Sequence, residues 1–274
     1  MPDPIRTKDL KLKGYGVALA KSGTTSLAAL FGRYHAAHEF MRKESFEIIA
    51  RYANKHINGE FRSFVKNRDA SGNFDFESSC FNIYFHSILS EEPSAKFIFC
   101  IRDSYSWLDS VLNMALNPDN ECLSPGYIVL GLPFELPGGD CEEKKELCRN
   151  FLKYIDTPLQ YWANTNARVL KELPYDRTII IRTHEIFDSM GRIADFFKIP
   201  ADTLLSNYSH SNKARKRYDI LSKLDHDKLK GKFDLYCSSL MEKFFPGYSL
   251  EKFLNGQEVP ALTAERQPTT AMQS

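Results

Sequence analysis

A short polar turn holds the residues of this chain whose types and spacing best suit the binding of an anion. The turn consists of Lys21, Ser22, Gly23, Thr24, Thr25 and Ser26. The lysine contributes a full positive charge, and the serine and threonine side chains contribute hydroxyl donors. Where such a turn joins a strand to a helix, the backbone N–H groups of residues 22–25 and the helix dipole point at one place. The turn is therefore predicted to bind a phosphate or a similar group.

The segments on either side of the turn have the patterns of a strand and a helix. Residues 15–20 are mostly apolar and predict a buried strand. The apolar residues that recur after the turn at the spacing of one helical face are Leu27, Leu30, Phe31 and Tyr34. The turn differs from a Walker A loop, because Lys21 precedes the glycine by two residues instead of following it directly. An ordinary tight connection between strand and helix is the alternative interpretation.

A second candidate anion site follows the apolar run 96–101, which has the continuity of a strand covered on both faces. Arg102 closes this run, and Ser110 lies two turns into the predicted next helix. An arginine binds phosphate through two parallel hydrogen bonds, and a neighbouring hydroxyl adds another. The alternative is that Arg102 pairs with Asp103 or a helix end, and that Ser110 is an ordinary surface residue.

Strands and helices alternate along the chain, which predicts a parallel sheet flanked by helices, a doubly wound α/β domain. Lys21 and Arg102 both follow predicted strands, and ligands bind such sheets at the carboxyl ends of the strands. Further strands are predicted at 34–40 and 178–182. Helices are predicted at 45–64, from Phe81 to Leu89, after Arg102, from Cys141 to Leu173 and from Ser189 to Lys198, with a loop at 68–73.

Composition limits the classes of function that remain. The 274 residues suit a single domain over 1–255, with a substrate-side lid at 117–150 and a disordered tail at 256–274. The net charge of +1 argues against broad binding to nucleic acid or a membrane surface. The six cysteines lack zinc-site spacing, so no metal is expected. A polar N-terminus and the absence of a membrane-length apolar run predict a cytoplasmic protein.

Three stretches resemble sulfotransferases that use 3′-phosphoadenosine-5′-phosphosulfate. The order Lys-Ser-Gly-Thr-Thr-Ser after an apolar strand is similar to the 5′-phosphosulfate loop of that family. Residues 93–110 resemble the pattern PxAKFIxxxRDxxxWLxS of its bacterial and related members. Residues 180–185 are similar to the late strand of the family, which a glutamate and a helix follow. The resemblance covers roughly residues 14–40, 75–116 and 178–217.

The resemblance implies a P-loop-NTPase-like sulfotransferase fold and a donor that carries both a 3′- and a 5′-phosphate. Lys21 is then expected at the leaving group, and Arg102 and Ser110 at the 3′-phosphate. A late basic segment of the family closes over the 3′-phosphate or the adenine, and the residues that match it are Lys213, Arg215 and Arg217. A solvated basic turn is the alternative there. The acceptor is expected to be a hydroxyl or amine of a small molecule or carbohydrate.

The general base has several candidates. Glu77 and Asp75 precede the helix that leads to the strand before Arg102. The family uses this position for the base, so these two residues rank first. His38 follows the first helix and is expected as an acceptor-site partner or as the alternative base, and Glu39 beside it also remains open. Two other functions stay open as well, a P-loop kinase or NTPase and a non-catalytic nucleotide-binding module. The identity of the acceptor and the oligomeric state are not readable from the sequence.

Overall fold

The structure is a computed structural model, and it describes residues 12–52, 59–116, 150–206 and 219–261. These residues fall into two compact units. The first consists of residues 12–52, 59–101 and 168–206, and the second of residues 102–116, 150–167 and 219–261. The single domain expected over 1–255 stays a prediction.

The first unit is built on a sheet of five parallel strands. The strands are β1 (Gly14–Val17), β2 (Ala36–His38), β3 (Phe76–Ser79), β4 (Lys96–Ile101) and β5 (Thr178–Arg182). Their order across the sheet is β2-β3-β1-β4-β5, so β1 lies at the centre between β3 and β4. After β1 the chain forms β2 and β3 on one side of it, and then crosses to form β4 and β5 on the other side. The carboxyl end of β1 is therefore the switch point where such sheets bind ligands. The predicted α/β class with a parallel sheet is confirmed.

Helices cover both faces of this sheet. In chain order, the helices of the described residues are α1 (Thr24–Leu30), α2 (Arg42–Tyr52), α3 (Gly59–Gly72), α4 (Asn82–Leu89), α5 (Ser104–Ala115), α6 (Asp156–Glu172), α7 (Met190–Phe197), α8 (His226–Phe244) and α9 (Leu250–Leu254). On one face, Phe31 after α1 stacks on Phe76 of β3 at 3.8 Å, and Phe197 of α7 meets both rings edge-on. The opposite face carries Tyr15 and Glu77, which are register partners, and α3 packs there.

The β4 strand confirms the prediction of a strand covered on both faces, since residues 97–101 are fully buried. Each large apolar side chain enclosed in this way stabilises the fold by about 1.5–3 kcal/mol. The predicted strand at 15–20 is shorter than expected and ends at Val17, although Ala18, Leu19 and Ala20 remain buried. The turn that follows therefore begins from a rigid, enclosed base.

Two predictions about the helices need correction. The loop predicted at 68–73 is wrong, because α3 continues to Gly72. Arg68 points inward from this last part of α3 and forms a buried ion pair with Glu77, an interaction that local turn propensity does not reveal. The single helix predicted at 45–64 is divided between α2 and α3, and residues 53–58 lie outside the described residues. The α6 helix confirms the later part of the helix predicted from Cys141 to Leu173, while residues 141–149 also lie outside the described residues.

The second unit packs α5 against α8 and α9 through aromatic contacts. The ring of Tyr105 lies 4.7 Å from Phe233 of α8 and stacks with Phe253 of α9. Trp162 of α6 donates a hydrogen bond from Nε1 to the carbonyl oxygen of Arg102 at 3.1 Å. These contacts fix the first turn of α5 and the backbone just before it. Within the described residues, no helix combines the length and apolarity needed to cross a membrane.

Candidate functional site

The polar turn after β1 has an unusual backbone. Lys21 and Gly23 both lie in the left-handed region, with φ of 68° and 97°. The N–H of Ser22 donates to the carbonyl of Leu19 at 3.0 Å, so this N–H group, expected at the anion, is already used within the turn. From the end of β5, Thr183 donates its hydroxyl to the carbonyl of Ser22 at 3.0 Å. The turn is therefore held from two sides.

Gly23 is the N-cap of α1, and the space around it leaves no room for a side chain. A Cβ atom there would lie 2.7 Å from Cδ1 of Ile186 and 3.3 Å from Cγ2 of Thr183. No side chain caps this end of α1, and its first turn contains no acidic residue. The N–H groups of a first helical turn have no partners within the helix, and they carry partial positive charge. This end of α1 therefore suits an anion.

His38 lies against this turn. It is the last residue of β2, and its Nε2 is 3.2 Å from the hydroxyl oxygens of both Thr24 and Thr25. Burial lowers the pKa of His38 below its ordinary value, with Glu39 acting in the opposite direction and Arg42 in the same direction. The imidazole is consequently neutral at neutral pH and able to accept a proton.

Glu39 lies near the same ring nitrogen of His38 as the two threonines. Its Oε1 is 3.8 Å from Nε2 of His38, and its Oε2 is 3.2 Å from Nε of Arg42. Cys80, which follows β3, donates its thiol to Oε1 of Glu39 at 3.4 Å, and burial keeps the pKa of this thiol well above its ordinary value. A carboxylate and two hydroxyls thus lie around one imidazole nitrogen at the carboxyl ends of the strands.

Glu77, ranked first as the base, is enclosed and fully paired. It is completely buried on β3, and Arg68 Nη2 donates to its Oε1 at 2.7 Å. Asn82 donates to Oε2 of the same carboxylate at 2.7 Å. Burial raises the pKa of Glu77, while the charge of Arg68 lowers it. With both oxygens occupied, the side chain has the environment of a structural ion pair, and its role as a base stays a prediction.

Asp75 lies near the amino ends of the strands. It precedes β3, its carboxylate accepts the N–H of His35 at 3.0 Å, and its carbonyl accepts the N–H of Gly14 at 2.9 Å. Gly14 begins β1, whereas Lys21 follows the end of that strand. The rise of a strand separates the two ends of β1 by about 10 Å. Asp75 therefore lies apart from the end of β1 that leads into the turn, and its role as a base stays a prediction.

In the second unit, Arg102 follows β4 directly and begins a hydrogen-bonded series along α5. Its Nε donates to Oγ of Ser106 at 2.9 Å, and Ser106 Oγ donates to the carboxylate of Asp103. Asp103 also caps α5 by accepting the N–H of Ser106 at 2.8 Å. Ser110 lies one turn beyond Ser106 on the same face and is half-buried. The guanidinium and both hydroxyls thus line one face of the helix.

Of the other residues predicted to bind the donor, only some lie within the described part of the chain. Ser26 lies half-buried in the first turn of α1. Lys213, Arg215 and Arg217 lie outside the described residues, as does most of the excursion at 117–150. The tail is described only to residue 261. Among the described residues, no group of three or more histidine, cysteine or acidic side chains is arranged to hold a metal ion.

Sequence reasoning missed two residues that shape this site. Thr183 follows β5, so the rule that ligands and their supports gather at strand ends would have indicated it. Arg68 had no comparable signal, because it falls in a stretch whose composition predicts a loop. Its partners lie on β3 and after β2, and only the folded chain brings them together.

One comparison with known proteins identifies a family. The family model described as a sulfotransferase domain matches residues 15–185 of the 274. Among solved structures, the sulfotransferase domain from the curacin biosynthetic pathway is similar, with 13% sequence identity and a TM-score of 0.40. That alignment covers 90% of this chain and 98% of the other. No curated protein matches the sequence.

Proposed function

The chain belongs to the sulfotransferase domain family, and we propose that it moves a sulfuryl group from 3′-phosphoadenosine-5′-phosphosulfate to a hydroxyl or amine of a small-molecule or carbohydrate acceptor. One observation carries this proposal most directly. A neutral imidazole, that of His38, lies 3.2 Å from two hydroxyls of the turn that also contains Lys21. A proton acceptor and an anion-binding turn therefore lie side by side.

The turn offers what the phosphosulfate end of the donor requires. Lys21 contributes a positive charge, and Thr24 and Thr25 contribute hydroxyls. The start of α1 adds partial positive charge from its backbone. We assign Arg102 and Ser110 to the 3′-phosphate because a guanidinium and a hydroxyl aligned on one helix face suit that group. Lys213, Arg215 and Arg217 complete the proposed nucleotide-binding set.

The transfer itself needs one base and one stabilising cation. The acceptor oxygen or nitrogen forms a bond to sulfur as the bond from sulfur to the bridging oxygen of the 5′-phosphate breaks. The electron pair of the broken bond leaves with that oxygen, where Lys21 stabilises the growing negative charge. The proton of the acceptor passes to Nε2 of His38.

His38 is favoured over Glu77 as the base by access. Glu77 is completely buried, and both of its oxygens accept hydrogen bonds from Arg68 and Asn82. About a third of the His38 side chain is exposed, at 30%. Its depressed pKa keeps it unprotonated at neutral pH, as a general base requires.

Calorimetry separates the proposal from its rivals. Adenosine 3′,5′-bisphosphate is expected to bind more tightly than adenosine 5′-phosphate, and ATP with Mg²⁺ is expected to bind weakly. Tighter binding of ATP with Mg²⁺ would support a kinase or NTPase. Binding of the bisphosphate without turnover of the sulfated donor toward any of a panel of phenols, sugars and amines would support a non-catalytic module.

A histidine pair tests the base. His38→Gln should abolish most of the turnover of the sulfated donor while it leaves bisphosphate binding within a few-fold. His35→Gln is the matched control, because His35 is exposed near the opposite edge of the sheet, where it contacts the carbonyl of Asn73. If His38→Gln retains activity and Glu77→Gln loses it in folded protein, the base is Glu77.

A further inference from the structure

Arg68 contacts two elements that the proposed catalytic groups depend on. Its side chain is 1% exposed, and its Nη2 donates to Glu77 on β3 at 2.7 Å. Its Nε donates to the carbonyl oxygen of Phe40 at 3.1 Å. Phe40 belongs to the turn that links β2 to α2. One guanidinium therefore joins the interior of the sheet to the turn that follows His38.

This turn has a backbone that needs support. Glu39 and Met41, on either side of Phe40, have φ of 54° and 49°, although neither is a glycine. Side chains with a Cβ atom rarely adopt such values, and they persist where surrounding contacts enforce them. The Phe40 ring packs edge-on against Phe74 at 4.9 Å, and the Phe40 carbonyl receives the charged donor of Arg68. The hydrogen bond from Arg68 is a part-buried polar contact at the centre of the turn.

We infer that Arg68 is a positioning residue, which holds the turn of residues 39–41 so that His38 and Glu39 meet the anion-binding turn. This inference rests on the proposed function in one respect only, that the placement of His38 matters for transfer. Arg68 touches neither threonine of the anion-binding turn and acts through the backbone of Phe40. A purely structural ion pair with Glu77 is the competing explanation.

The two hydrogen bonds of Arg68 can be separated by substitution. Arg68→Lys keeps a positive charge beside Glu77 but loses the rigid fork that serves two partners, so the contact with Phe40 is lost. Glu77→Gln keeps the contact with Phe40 and removes the charge of the ion pair. Arg62→Lys is the matched control, because Arg62 lies on the same helix but is exposed and pairs with Glu91 at the surface.

The primary measurement is the titration of the His38 ring by NMR in the full chain, with His38→Gln used to assign its signal. The charged and titratable groups around this ring are Glu39, Arg42 and, through Glu39, the thiol of Cys80. Loss of the turn exposes the ring, so Arg68→Lys should raise the pKa of His38 toward its ordinary value. Faster hydrogen exchange of the backbone amides of residues 38–42 should accompany it.

Stability provides the discriminating comparison. Glu77→Gln leaves the buried Arg68 charge unpaired and should lower the urea midpoint more than Arg68→Lys does. The inference predicts that Arg68→Lys nevertheless changes the His38 titration more. The inference is overturned if the pKa of His38 is unchanged in Arg68→Lys. It is also overturned if Arg68→Lys and Glu77→Gln each shift the pKa of His38 in proportion to their loss of stability. Should Arg68→Lys not fold, the double variant Arg68→Gln with Glu77→Gln leaves no unpaired charge and serves in its place.

Turnover of the sulfated donor then distinguishes the two proposals. If His38→Gln is active while Arg68→Lys still shifts the His38 titration, the proposed base is wrong and the positioning of the turn by Arg68 stands. If His38→Gln is inactive and Arg68→Lys has parental titration, amide exchange and turnover, the base stands and the inference about Arg68 fails. Arg62→Lys should match the parent in every measurement.

Discussion

Replacement of Gly23 by alanine tests the geometry of the anion-binding turn without knowledge of any ligand. Gly23 has φ of 97°, and a Cβ atom there would lie 2.7 Å from Cδ1 of Ile186. The next contacts, 3.3 Å to Thr183 Cγ2 and 3.5 Å to Cys100 Sγ, are much less severe. The steric cost of Gly23→Ala therefore depends mainly on one methyl group.

The expected loss of stability has two parts. A residue with a Cβ atom costs about 1–2 kcal/mol in the left-handed region. An extra methyl group in an enclosed site costs about 1–3 kcal/mol through displaced neighbours. The free energy of unfolding should therefore fall by about 2–5 kcal/mol in Gly23→Ala, if the two costs add. Isothermal urea unfolding, followed by circular dichroism, measures this difference.

Ile186→Val makes the test specific, because valine lacks the Cδ1 atom that the new methyl group meets. Alone, this substitution should cost about 0.5–1.5 kcal/mol. Combined with Gly23→Ala, it should remove the steric part, so the double variant is more stable than additivity predicts by about 1 kcal/mol or more. Gly191→Ala is the matched control, because that helical glycine has nothing within 4 Å of the added atom. The control should gain about 0.5–1 kcal/mol.

Additive losses in the double variant would refute the reasoning. They would mean that Ile186 moves away at little cost or that the backbone of Gly23 carries the whole effect. A urea midpoint in Gly23→Ala equal to that of the parent would be a stronger contradiction, since it would mean that a side chain fits at residue 23 without cost. A loss in Gly191→Ala as large as that in Gly23→Ala would show that the effect is not specific to the turn.

Three further predictions follow from the charged groups. Lys21→Ala keeps a Cβ atom at a residue with φ of 68°, so its effect reports the loss of the ammonium group alone. Turnover should fall about 10²–10³-fold, with a much smaller loss of bisphosphate affinity in calorimetry. Intact turnover would contradict the leaving-group role. Arg102→Ala should weaken the binding of adenosine 3′,5′-bisphosphate by about 1.5–3 kcal/mol and leave the binding of adenosine 5′-phosphate unchanged. An equal loss of affinity for both ligands would reject the assignment of Arg102 to the 3′-phosphate. Burial lowers the pKa of His86, while the carboxylate of Glu172, 2.8 Å from its Nε2, acts in the opposite direction. Because burial is the larger cause, the unfolded chain binds a proton below pH about 6.5 that the folded chain does not. The free energy of unfolding should therefore fall as pH decreases from there, and His86→Gln should show a shallower pH dependence in urea titrations; an unchanged slope would contradict the burial effect.

Local sequence determined the polar turn of residues 21–26 and the elements that carry it. A strand before Lys21 and a helix after Gly23 follow from the apolar pattern and the small residues between them, all within some twenty residues of chain. The same is true of the buried β4 strand and of the position of Arg102 after it. These features depend on backbone preferences and on side-chain periodicity, which are properties of neighbouring residues.

Only the tertiary structure decided which candidate base meets the turn. By sequence, Glu77 and Asp75 ranked ahead of His38, but the separation of each from Lys21 depends on strand order and on the direction of each strand. The sheet places Asp75 at its amino edge, Glu77 in a buried pair with Arg68, and His38 beside Thr24 and Thr25. The persistence of α3 through Arg68 was decided in the same way. The buried charge of Arg68 must be paired because desolvation is costly. Its partner, Glu77, lies on a strand and cannot be identified from the residues adjacent to Arg68.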